Sequence, residues 1–229
     1  MDAQELARLR QRYQHAKGDD VFDPAFKQVV AHLYEGSGNR KLPFAGVSTL
    51  LDAPYQTELA GLAVALLGVP MDLGVTNRSG ARFGPRAVRQ VERIGPYNHQ
   101  LKVAPLTTMQ LADVGDVPLH SRYSLEQSIA DIEAFYHQVC DVGVVPLSVG
   151  GDHSITYPIL KALGRHTPVG MVHIDAHCDT GGEHDGSRFH HGGPFRQAVL
   201  DGVLDPARTI QIGIRGSSEL FWEFSYDAG

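Results

Sequence analysis

Val169-Gly-Met-Val-His-Ile-Asp-Ala-His-Cys-Asp179 is a short apolar run that passes directly into ionisable residues. Its first half has the length and composition of a buried β-strand. Alternate residues of a strand share a face, so extended geometry carried through the segment would bring Asp175, His177 and Asp179 together. Ile174, Ala176 and Cys178 would then turn away, with Cys178 in packing. Two carboxylates and an imidazole are poor core material but a good divalent-cation site, suited to manganese, iron, nickel or zinc. Upstream, Gly150-Gly-Asp-His153 ends a second apolar run, Val144-Val-Pro-Leu-Ser-Val149, and offers His153 as a further ligand. Its glycines allow close backbone approach. Asp152 reads as an orienting neighbour, and His173 as a buried histidine bonded to an adjacent strand.

Outward from these runs the chain alternates strands with amphipathic helices. Leu62 to Gly68 is a continuous apolar strand. Gly84-Pro85 opens a helix carrying Val88, Val91 and Ile94. Ser124 and Gln127 form a capping-box pattern before a helix closed by Gly143. Further helices are expected from Ser154 to Gly164 and from Pro194 to Leu204, with a last strand at Thr209 to Ile214 and no closing element over 221–229. This alternation predicts a mostly parallel α/β sheet, with both ligand motifs at its carboxyl edge, where such sheets bind ligands. Residues 1–45 read as a separate helical arm. Asp23-Pro24 starts a helix there, with Phe26, Val29, Val30 and Leu33 on one stripe ending at Gly36, and the polar stretch 35–43 connects onward.

Bulk properties narrow the function classes. The 229 residues are 42% hydrophobic and 20% charged, with a formal charge of −6. That charge disfavours nucleic acid and anionic membrane as partners. The first residues lack the basic and apolar regions of a secretory signal, and no apolar run approaches the roughly 20 residues of a membrane span. Two cysteines make no disulfide framework. A cytoplasmic protein is expected.

Seven of the twelve histidines fall between His153 and His191. His190 and His191 lie on a glycine-containing loop before Pro194, and read equally as proton-moving groups or as incidental loop residues. Arg78-Ser-Gly-Ala-Arg-Phe-Gly-Pro-Arg86 is basic but lacks the spacing of a phosphate-binding loop, which leaves local bonding within a structured loop.

Taken together, Gly150-Gly-Asp-His153, Asp175-Ala-His-Cys-Asp179, His190-His191-Gly192 and the Arg78–Arg86 segment resemble the ureohydrolases: arginase, agmatinase and the guanidino-acid hydrolases. Asp113-Val-Gly-Asp116 and Gln211-Ile-Gly-Ile-Arg215 fit the same pattern. Pro43-Phe-Ala-Gly-Val-Ser is closer in look to agmatinase and guanidino-acid hydrolases than to arginase. The resemblance implies a three-layer α/β domain over 46–229, a mostly parallel sheet with helices on both faces, in a homo-oligomer. It implies two Mn2+ ions, or Ni2+, with His153, Asp175 and Asp179 on one and His177 with a second oxygen of Asp175 on the other. A hydroxide shared by the ions would attack the guanidinium carbon of agmatine or a guanidino acid, and His191 would relay protons to the leaving amine. The family's later Asp-x-Asp motif is not found here, which predicts a domain lacking its C-terminal part, poor metal binding and an exposed apolar sheet edge. Two alternatives remain: a non-catalytic subunit that keeps the fold, and a one-zinc deacetylase on a related fold.

Overall fold

The computed structural model describes residues 1–18, 20–31, 45–91, 97–216 and 219–229. The strands are β1 (Val64–Val69), β2 (Leu111–Asp116), β3 (Val145–Gly150), β4 (Val169–Ile174) and β5 (Leu204–Ile212). The helices are α1 (Ala3–Tyr13), α2 (Pro24–Val30), α3 (Gly84–Arg89), α4 (Pro105–Thr108), α5 (Leu125–Asp141), α6 (Thr156–Leu163), α7 (Pro194–Leu200) and α8 (Glu223–Ala228). The expected positions Leu33, Gly36 and Ile94, and the connection 35–43, lie outside the described residues.

Two compact units divide the chain, Met1–Gly46 with Arg93–Thr108, and Val47–Glu92 with Met109–Gly229. In the first, Asp23 caps α2 by accepting from the Ala25 N–H at 2.9 Å, with Pro24 at the first helical position. The missing proline N–H costs nothing there. Lys102 Nζ lies 2.7 Å from Asp23 Oδ2, and the rings of Tyr97 and His99 pack on Phe26.

The second unit holds every strand among the described residues. These strands pair in parallel, in two hydrogen-bonded sheets of order β2-β1-β3 and β4-β5. β1 is central and buried at every position but its first, which is why Ala65, Leu66, Leu67 and Val69 form an unbroken apolar run. On α5, Ser124 caps the first turn by accepting from the Gln127 N–H, and Ile129, Ile132, Tyr136 and Val139 point into the core at helical spacing. Phe195 and Ala198 of α7 and Tyr157 and Leu160 of α6 join the same cluster.

Several expectations need correction. β5 begins at Leu204, earlier than Thr209, and α7 stops at Leu200. β2 is a strand that its acidic residues conceal. The segment 221–229 does contain an element, α8. The apolar side chains of Val145, Leu147, Val172, Ile174, Ile210 and Ile212 on β3, β4 and β5 are exposed. No helix among the described residues is long and apolar enough to cross a membrane.

Candidate metal centre

The Gly150-Gly-Asp-His turn sits at the end of β3. Gly151 has φ +70°, and a side chain there would drive a Cβ to 2.4 Å from the Val69 carbonyl oxygen, so only glycine fits. Asp152 is an orienting residue: its carboxylate accepts from the N–H of Ser154 at 2.7 Å and of Gly74 at 2.9 Å, tying the turn to the loop after β1. His153 then opens a single 3-10 turn, His153–Ile155, ahead of α6.

β4 ends at Ile174, so Asp175 to Asp179 form a bent loop and not the continued strand that alternation assumed. Asp179 reaches the site through a left-handed backbone, φ +51°, a conformation that aspartate tolerates better than most residues. The ligand atoms of His153, His173, Asp175 and Asp179 all lie within 4.8 Å of one another. Neighbouring ligands of a tetrahedral first-row ion stand about 3.4 Å apart, so His153, Asp175 and Asp179 can gather on one ion once their side chains draw together. His153 Nδ1 is 2.6 Å from Asp179 Oδ2. Phe195 presents its ring to His153 and His173, with centroids 5.3 and 4.5 Å away, and limits how either can turn.

The electrostatics favour a cation. Burial pushes the Asp175 carboxyl up, but the N–H groups of His177 and Ala176 and the nearby imidazoles outweigh it, leaving it below the usual range. Burial, helped by neighbouring His153, pushes His173 down and keeps it neutral near pH 7. A charged carboxylate is the form that coordinates metal.

His177 is not in this group. Its side chain is 63% exposed, with Nδ1 3.6 Å from Asp175 Oδ1, and it borders Gly216, where an added Cβ would meet the ring at 2.6 Å. The two loop histidines separate clearly. His190 Nε2 lies 2.7 Å from the Gly182 carbonyl, and its Nδ1 accepts from the Gly192 N–H, so it closes the loop on itself. The His191 N–H donates to the Gly74 carbonyl and its Nε2 is 3.1 Å from Thr76 Oγ1. Cys178 is buried and touched by the Thr180 hydroxyl, consistent with packing. In the basic segment, Arg82 and the Gly80 N–H engage the buried Asp72 carboxylate, so the charge there serves the loop. Thr76 and Phe195 carried no role in the sequence, and Gln211 stood there only as the start of a family-like segment, because only the pairing of strands and loops brings them here.

Residues 62–229 match a family model described as "Arginase family". A guanidinopropionase of Pseudomonas aeruginosa is 49% identical over 176 residues, covering 76% of this chain and 55% of its own. A mitochondrial agmatinase of Gallus gallus is 48% identical over 175 residues, covering 76% and 51%. Among solved structures, the proclavaminate amidino hydrolase from Streptomyces clavuligerus superposes with a TM-score of 0.75 at 31% identity, over 81% of this chain and 63% of that one. The chain thus spans about half the length of the curated relatives it matches.

Proposed function

The chain belongs to the arginase family, and from that premise we propose that its chemistry is the metal-dependent hydrolysis of a linear guanidino compound, agmatine or a guanidino acid, to urea and an amine. The observation that carries this is the convergence of His153, Asp175 and Asp179 where β3 and β4 end. These three would hold one ion, and His177 with the second oxygen of Asp175 the other. The donor set of carboxylate and imidazole suits Mn2+, with Ni2+ as the alternative. Divalent ions held there supply Lewis-acid polarisation and acidify water near neutral pH.

Hydrolysis adds the elements of water across the carbon–nitrogen bond: oxygen goes to the guanidinium carbon and a proton to the departing nitrogen. His191, on a loop held by Gly74 and Thr76, is the residue proposed to deliver that proton. Asp175 and Asp179 keep the negative charge that the cations need. We propose a cytoplasmic homo-oligomer that takes a small-molecule substrate and binds neither nucleic acid nor membrane. Its division is a helical arm, residues 1–45, and a ureohydrolase domain, residues 46–229. A second reading, a non-catalytic subunit on the same fold, draws on the position of His177 outside the gathered ligands.

The test is urea release by the Mn2+-loaded protein from a panel of agmatine, guanidinobutyrate, guanidinopropionate and arginine. Weak turnover of one of the first three at saturating Mn2+, lost in the Asp179→Asn variant, is expected. Metal binding without urea from any of the four would overturn the hydrolase in favour of the binding subunit.

A further inference from the structure

His173 and Gln211 face each other across β4 and β5, in register. The Gln211 amide nitrogen is 2.7 Å from the Cys178 carbonyl oxygen and 3.0 Å from His173 Nδ1. A carbonyl oxygen can only accept, so the atom facing Cys178 must be the amide NH2 and not the amide oxygen. The orientation of Gln211 is thereby settled from outside the histidine. The same NH2 donates its other hydrogen to Nδ1, which must then carry a lone pair. In a neutral imidazole the remaining proton sits on Nε2.

That Nε2 is buried and has no hydrogen-bond partner, in a side chain only 8% exposed. Asp175 Oδ2 stands 3.6 Å from it, just beyond hydrogen-bond range. The other oxygen of Asp175 already accepts from the His177 N–H at 2.9 Å. An Nε2–H has no lone pair to give a cation, although His173 lies within the same 4.8 Å group as the three carboxylate and imidazole ligands.

We propose that Gln211 holds His173 as its Nε2–H tautomer, which makes His173 a hydrogen-bond donor that positions the Asp175 carboxylate and not a ligand of the ion. A small shift of Asp175 would bring the Nε2–H onto Oδ2, and with one N–H on each oxygen the carboxylate would be fixed in plane and keep a lone pair on each for coordination. The positioning role rests on the metal-dependent reading above; the tautomer does not.

Long-range proton–nitrogen correlation spectra of the 15N-labelled, full 229-residue chain at about pH 8, above the ordinary histidine range, read the tautomer directly. The spectra are recorded metal-free and then with Zn2+ alone, which is diamagnetic, and His173→Phe assigns the signals by their loss. His173 is expected to show a protonated Nε2 and a bare Nδ1 in both states. A protonated Nδ1 in the metal-free chain, or loss of the Nε2 proton on adding Zn2+, overturns the proposal. If Zn2+ does not bind at all, the metal reading fails while the metal-free spectrum still decides the tautomer. Zn2+ affinity gives the second readout: His173→Phe should weaken it by about tenfold or more, as removal of an outer-shell partner does. His173→Gln, which keeps a donor but makes a poor ligand, should restore it to within about threefold. Failure of His173→Gln to restore binding where the chain folds overturns the donor role.

Discussion

Replacing Arg89 with methionine should destabilise the protein by about 3–5 kcal/mol, the range found when one member of a buried ion pair is removed. Asp113 lies on β2 with no exposed surface. Its carboxylate accepts from Arg89 Nε at 2.8 Å and Nη2 at 2.9 Å, and from the N–H groups of Leu50 and Gly115 at 2.8 and 2.9 Å. Arg89 also reaches Asp116 at 2.6 Å and the Gly115 carbonyl at 3.0 Å. The Asp116 contact is partly exposed, so it adds about 0–1 kcal/mol. The weight falls on the two charge-assisted bonds to Asp113, each about 1.5–3 kcal/mol. Methionine roughly keeps the apolar stem but leaves the carboxylate with two backbone donors and no counter-charge.

Acid should close that gap. Burial pushes the Asp113 carboxyl up, but Arg89 and the two N–H groups outweigh it and hold it below the usual range. A depressed carboxyl contributes stability above its unfolded value, about pH 3.9, and loses it as pH falls through the lower folded value. Urea unfolding followed by circular dichroism at pH 7 and at stepped lower pH measures both effects. A loss under about 1 kcal/mol at pH 7, against the buried-pair expectation, or a gap that stays constant as Asp113 protonates, would refute the reasoning.

Three further outcomes are expected. Asp179→Asn should weaken first-ion binding by at least about tenfold in calorimetric titration with Mn2+, whereas His177→Ala should leave one ion bound, since its ring stands apart from the gathered ligands. Equal losses in the two variants would show that the ligands do not divide in this way. Burial, then the bond to Asp201, pushes the Tyr157 phenol up to about 12. Its stabilising effect is therefore complete below about pH 10 and disappears as pH rises to its folded value, a loss that Tyr157→Phe should blunt in alkaline melting curves. Gly84→Ala would place a Cβ 2.3 Å from the Gly150 carbonyl oxygen, where backbone must move, and should cost about 1–3 kcal/mol by chemical denaturation.

Much of this protein can be read from local pattern, because period and composition are local properties. The apolar run of β1, the Ser124 cap of α5 and the Asp23-Pro24 start of α2 appear as read. The motifs around His153 and Asp175 sit at strand ends, as the alternation of elements implied. β2 escaped notice because Leu-Ala-Asp-Val-Gly-Asp makes sense as a buried strand only once Arg89, 24 residues away, is beside Asp113. Strand periodicity also chose the wrong device for Asp179, which arrives through a loop with positive φ.

The sequence by itself determined the fold class, the family and the residue types available to a metal, since these follow from spacing along one chain. Tertiary structure alone decided which groups meet. It gathered His153 with Asp179 across 26 residues, left His177 outside, turned His190 onto its own loop and His191 onto Thr76. It also set Gln211 opposite His173, across 38 residues. Hydrogen-bond direction and ligand convergence depend on distances of a few ångströms between strands and loops, and no local periodicity encodes those.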